Sequence, residues 1–171
     1  AFAHNGNLPF TDKLQEYLKK EDIKFSGYND SGLMFLALAN ELRKTKDLVE
    51  SVNNCWDLFT GAFSCVGLYK GKVFAFRDGF GIRPLGIGKT GHGFVVASET
   101  VAHDIIGADY TRDIEPGELV IVDGEEMRSE QIVKGETKVD AFEFVYLARP
   151  DSRISGRSVY TARFNAGKLL A

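Results

Sequence analysis

Ala62-Phe63-Ser64-Cys65-Val66-Gly67-Leu68-Tyr69, then Lys70-Gly71-Lys72, then Val73-Phe74-Ala75-Phe76 is the stretch on which the fold turns. Two runs rich in aromatic and β-branched residues flank a short glycine-centred link, the pattern of a β-hairpin. Downstream, the two glycines and the proline of 78–84 predict a rigid loop. A second hairpin is expected from 85–87 and 94–97 around Lys89-Thr90-Gly91, then a short helix capped by Ser98 and running through Val101, Ala102 and Ile105. Strands around Thr111 and over 119–122 are set off by turns at Glu115-Pro116-Gly117 and Asp123-Gly124. Strands joined by tight turns pair antiparallel. Residues 141–150 read as an extended apolar segment ended by Pro150, and 158–170 as a helix.

Upstream of the hairpin the hydrophobic period is helical. Leu48, Val52, Cys55, Trp56 and Phe59 share one side of a helix over 47–59. Leu33, Leu36, Leu38 and Leu42 mark another, capped by Asp30 or Ser31. Thr11 heads a third, through Leu14, Tyr17 and Leu18 to Lys20, and 23–26 reads as a short strand. At the front, Phe2-Ala3-His4-Asn5-Gly6-Asn7-Leu8 places two amides around a glycine. Asn5-Gly6 predicts a sharp bend, which either turns a hairpin or points hydrogen-bond donors at a ligand. Helices, meandering sheet and a final helix define an α+β layered sandwich.

Composition narrows the function. The chain has 171 residues, 44% hydrophobic and 26% charged, with a net charge of −3, as expected of one soluble domain. Lys and Arg are scattered, which argues against a nucleic-acid surface. No apolar run approaches the ~20 residues of a membrane span and no leader is evident, so a cytoplasmic location is expected. Residue 1 is Ala, consistent with a processed, engineered or internal start. Cys55 and Cys65 form neither a zinc site nor a disulfide framework and read as buried reduced thiols. His4, His92 and His103 share no metal-ligand spacing. Gly86-Ile87-Gly88-Lys89-Thr90-Gly91 matches the dinucleotide glycine pattern, but a strand follows it where that pattern opens a helix. The remaining candidates are the polar breaks: Asn5-Gly6, Asn29-Asp30-Ser31 and Arg77-Asp78. The plain alternatives for the last two are a helix cap and a loop-locking ion pair.

Taken in order, His4-Asn5-Gly6-Asn7-Leu8, Asn29-Asp30-Ser31, Gly61-Ala62-Phe63-Ser64, Phe76-Arg77-Asp78 with Gly81-Ile82-Arg83-Pro84, Ser98-Glu99-Thr100, Asp113-Ile114-Glu115-Pro116-Gly117-Glu118, and Phe142-Glu143 with Ala148-Arg149-Pro150-Asp151-Ser152 resemble the glutaminase domain of the amidophosphoribosyltransferase family. The resemblance covers nearly all of 1–171 as one class II glutamine amidotransferase domain. It implies an N-terminal-nucleophile fold, a four-layer αββα sandwich with antiparallel sheets. It also implies glutamine hydrolysis by an amino-terminal cysteine, the ammonia passing to a phosphoribosyltransferase domain or chain that aminates phosphoribosyl pyrophosphate. By the same resemblance Asn5 and Gly6 form the oxyanion hole, a type of donor worth ~3–4 kcal/mol each elsewhere, and Asp30 holds the α-amino group of glutamine. No cofactor is implied for this domain; Mg²⁺ belongs to the phosphoribosyltransferase part.

Several positions depart from the family pattern. The cysteine and the carboxylate-gripping arginine that precede the His-Asn-Gly-Asn word are absent, and Ala1 has no nucleophilic side chain. Gly32 stands where Glu is usual, Gly79 where Pro is usual, and Pro9-Phe10 where small or polar residues are usual. The expectation is therefore a domain incomplete at both ends and inactive by itself. Its unpaired sheet edges would call for self-association or a complementing chain. A non-enzymatic relic or regulatory module that keeps the sandwich is the alternative.

Overall fold

The computed structural model describes every residue of the chain except Tyr28. The chain begins with strand β1 (Phe2–Phe10) and helices α1 (Asp12–Lys20), α2 (Asp30–Thr45) and α3 (Leu48–Trp56). Strands β2 (Thr60–Tyr69), β3 (Lys72–Arg77), β4 (Gly86–Thr90) and β5 (Gly93–Ala97) follow, then α4 (Thr100–Ile106), β6 (Asp109–Asp113), β7 (Glu118–Asp123) and β8 (Glu126–Gln131). A π-helix (Glu143–Leu147), the short strands β9 (Arg153–Ile154) and β10 (Arg157–Ser158), and α5 (Val159–Leu170) complete it.

The hairpin that opened the sequence reading is present as β2 and β3. Lys70 and Gly71, at φ 48° and 81°, turn the chain between them with the left-handed backbone that matches strand twist. Around this pair the larger sheet runs β1-β2-β3-β7-β8, and a smaller one runs β5-β4-β6. Every pairing is antiparallel. Alternation along the strands divides the interior in two. Phe63 and Cys65, Phe74 and Phe76, Leu119 and Ile121 face α1 to α3, where they meet Leu14, Leu18, Met34, Leu38 and Val52. Ala75, Val120 and Val122 face the other way, onto Ile87 of the smaller sheet and onto Leu85 and Ile114 just beyond its strand ends. His103 of α4 stacks edge-on against Tyr110 of β6. The result is helix, sheet, sheet, helix, as expected. Full burial of each large side chain contributes ~1.5–3 kcal/mol. Close packing fixes register too: a Cβ at Gly67 would lie 2.1 Å from the Phe74 ring opposite it.

Local expectations fail at several places. Asn5 and Gly6 make no bend; they are extended in mid-strand, opposite Ser64 and Phe63. Residues 23–26 join no sheet, because Ile23 closes back on the Leu18 carbonyl and Ile23 and Phe25 pack on the helical core. The cap of α2 is Asn29, whose side chain accepts the Gly32 N–H, which leaves Asp30 free as the first helical residue. Thr11 occupies the N-cap position of α1, but its hydroxyl receives Gln15 Nε2 instead. Glu99, not Ser98, precedes α4. The 141–150 segment is helical over Glu143–Leu147, with Ala148 N–H reaching back five residues to Glu143 O. The apolar run read as an extended segment is thus helical, and the residues it buries are Glu143, Ala148 and, in part, Phe144.

Candidate functional site

Side chains on β1 alternate between two environments. His4, Gly6 and Leu8 turn toward α2, while Asn5 is exposed on the opposite face. There Asn5 lines a cleft between β1 and the loops bounding the smaller sheet, with Arg83, Pro84, Ser98, Glu99 and Glu143 around it. Gly6 is required twice over. Its φ of 146° is costly for other residues, and a Cβ there would sit 2.0 Å from Ala62 O on the paired strand.

Asp30 reaches the same strand from α2. Its Oδ2 accepts Leu8 N–H at 3.0 Å, and its Oδ1 accepts Ser31 N–H at 2.7 Å. Ser31 Oγ lies 3.0 Å from His4 Nδ1, and that nitrogen is 3.9 Å from Asp30 Oδ1. The structure thus ties Asp30 to the strand that carries Asn5 and Gly6. Asp30 and the Asn5 side chain approach that strand from opposite faces. Ser31 was read in the sequence as part of the Asn29-Asp30-Ser31 break and as a helix cap, and His4 was weighed only as a metal ligand; the link between them was not anticipated. Their signal was present, since each adjoins a named candidate. Burial pushes the His4 imidazole below its ordinary value; Asp30 raises it and Arg83 lowers it further.

Arg77 and Asp78 do not pair with each other, contrary to the ion-pair expectation. Both are buried, and each ties down backbone. Arg77 donates to the carbonyls of Gly81 at 2.6 Å, Arg83 at 2.6 Å and Ile114 at 2.8 Å. Asp78 accepts N–H groups from Phe63, Phe80 and Ile82. The arginine fork fits planar carbonyl clusters better than a single partner. Their joint effect is to hold 78–84 rigid and present Arg83, whose guanidinium meets Glu143 at 2.7 Å at the rim of the cleft. Desolvation raises the Glu143 carboxyl above its usual range, an effect that Arg83 opposes. On the same rim, Glu99 accepts Arg149 N–H at 2.8 Å and the Ser152 hydroxyl at 2.7 Å, joining two sequence words fifty residues apart.

Cys55 and Cys65 are fully buried; desolvation pushes the Cys55 thiol up to about 12 and the Cys65 thiol well above its ordinary value. The thiolate is the reactive form, so both are inert at neutral pH. Among the described residues no group of His, Cys, Asp and Glu is placed to hold a metal ion, and no helix is long and apolar enough to cross a membrane.

The αββα sandwich of antiparallel sheets is the fold of N-terminal-nucleophile amidotransferases. Residues 1–103 match the glutamine amidotransferase domain family, and the chain belongs to it. It is 50% identical over 176 residues to the amidophosphoribosyltransferase of Mycobacterium tuberculosis, covering 100% of this chain and 33% of that protein. With the enzyme of the same name from Bacillus subtilis it shares 36% over 172 residues, covering 100% and 36%. The solved B. subtilis glutamine phosphoribosylpyrophosphate amidotransferase, complexed with ADP and GMP, superposes with a TM-score of 0.88 at 35% identity, over 99% of this chain and 37% of that one. The chain therefore spans about a third of the length of the curated relatives it matches.

Proposed function

We infer that the chain carries the glutamine-binding half of an amidophosphoribosyltransferase glutaminase site. Asp30 takes the α-amino group of glutamine, pairing a carboxylate with an ammonium. The Asn5 side-chain amide and the Gly6 N–H stabilise the oxyanion formed when a thiolate attacks the γ-amide carbon. That thiolate comes from outside these 171 residues, since Cys55 and Cys65 are sealed in the core. The attack releases ammonia, water then hydrolyses the thioester to glutamate, and the ammonia aminates phosphoribosyl pyrophosphate on a separate domain. The observation that carries the reading is the Leu8 N–H to Asp30 bond, which fixes a carboxylate to the strand holding Asn5-Gly6. A docking face for the second domain is supported by Phe142, Val145, Tyr146, Tyr160 and Phe164, exposed together on the π-helix and α5.

The test is ammonia release from glutamine. The chain by itself should release none, and adding the cysteine-bearing segment of a relative as a separate chain should restore release that Asn5→Ala lowers about 100-fold. Release by the chain alone at the rate of a complete glutaminase overturns the reading.

A further inference from the structure

Ser31 has one hydroxyl proton and two acceptors within reach: His4 Nδ1 at 3.0 Å and Asp30 Oδ1 at 3.3 Å. It cannot serve both at once. The imidazole is almost wholly enclosed, with 1% of its side chain exposed, and its Nε2 has no hydrogen-bond partner among the described residues. The ring lies close over Gly6, its Nε2 2.9 Å from where a Cβ on that residue would be. Asp30 keeps 22% of its side chain exposed, so an incoming cation can reach it.

We propose that His4 is a positioning residue which draws the Ser31 hydroxyl away from Asp30, keeping Oδ1 open to the primary ammonium of an amino-acid substrate. When His4 takes up a proton, Nδ1 becomes a donor. The Ser31 oxygen must then accept from it, and its hydroxyl swings onto Asp30 Oδ1 and takes the acceptor site left there beside the Ser31 N–H, the one open to the ammonium. The charged groups facing the ring are Asp30 from α2 and Arg83 from the rigid loop, and they act in opposite directions. Burial keeps the ring neutral at pH 7, so the open arrangement is the resting one. The substrate class rests on the glutamine reading above; the hydroxyl exchange does not.

Two measurements on the full 171-residue chain decide it. The ¹⁵N shifts of the His4 ring should report a bare Nδ1 and a protonated Nε2 at pH 7.5. Glutamine affinity, followed through the Asn5 and Gly6 amides, should weaken about fivefold or more over the pH range, below the ordinary imidazole value, in which the ¹⁵N shifts show the His4 ring taking up its proton. In Ser31→Ala this weakening should shrink to about twofold or less, and Ser31→Thr, which keeps the hydroxyl, should restore it. A protonated Nδ1 in the neutral ring, or the same pH dependence in Ser31→Ala, overturns the proposal. Should glutamine fail to bind at any pH, the functional reading falls. The ring shifts then decide alone: a bare Nδ1 supports the hydroxyl exchange and a protonated one refutes it.

Discussion

Gly6 and Arg77 show how single residues set this site. The space opposite Gly6 is filled by a carbonyl of the neighbouring strand, so Gly6→Ala should cost more than ~2 kcal/mol through strain and a forced shift of β2. Gly91→Ala, with nothing within 4 Å of its Cβ, should be nearly neutral. Urea unfolding midpoints of the two variants test the contrast. Arg77→Lys replaces a planar fork by one ammonium that cannot span three carbonyls, and should destabilise by ~3 kcal/mol. Amide exchange should then speed up at Gly81 and Ile82. His103 is enclosed, with neither ring nitrogen partnered among the described residues, and burial lowers its pKa below the ordinary 6.5. The unfolded chain therefore takes up the proton first. This stability is fully present above about pH 6.5 and is lost as pH falls toward the depressed folded value. Thermal melts from pH 7.5 to 5 should drop, and His103→Leu should flatten that fall while adding ~1 kcal/mol at pH 7.

At the scale of elements, caps and edges separate what the sequence could and could not reveal. Asp47 was read as the start of a helix and does cap α3, accepting Glu50 N–H at 2.9 Å. Asp47→Ala should cost ~1 kcal/mol in a melt. For α2, three cap-forming residues stand in a row, and only the backbone path chose Asn29. Strand β8 escaped notice because Glu126–Gln131 is exposed throughout and, Met127 apart, polar, an edge strand with no alternation to read. The π-helix was misread for the opposite reason: Val145 and Tyr146 face outward while Phe144 packs inward, so propensity and burial disagree. The β2–β3 and β4–β5 hairpins, whose glycine turns dictate their geometry, were legible, whereas β7–β8 and β9–β10, which also turn at a glycine, were not.

On the scale of the whole molecule, the layers followed from local patterns, while the contacts that assemble the site did not. Asn5, Gly6 and Asp30 could be named by resemblance to a family. That His4 and Ser31 link them depends on a 27-residue separation closed only by packing α2 on β1. The face formed by the π-helix and α5 carries Phe142 at 69% and Tyr146 at 79% exposure, and clustered exposed apolar side chains mark interaction surfaces. The isolated chain should bind a hydrophobic dye there, and Val145→Ser with Tyr146→Ser should reduce that binding without lowering the melting temperature. The central claim, that residues 1–171 bind glutamine but lack the nucleophile, is tested most directly by titrating the chain with L-glutamine while amide shifts and free ammonia are followed together. The account predicts saturable shifts at Asn5, Gly6 and Asp30 with no ammonia formed. Ammonia release, or glutamine shifts confined to other surfaces, would contradict it.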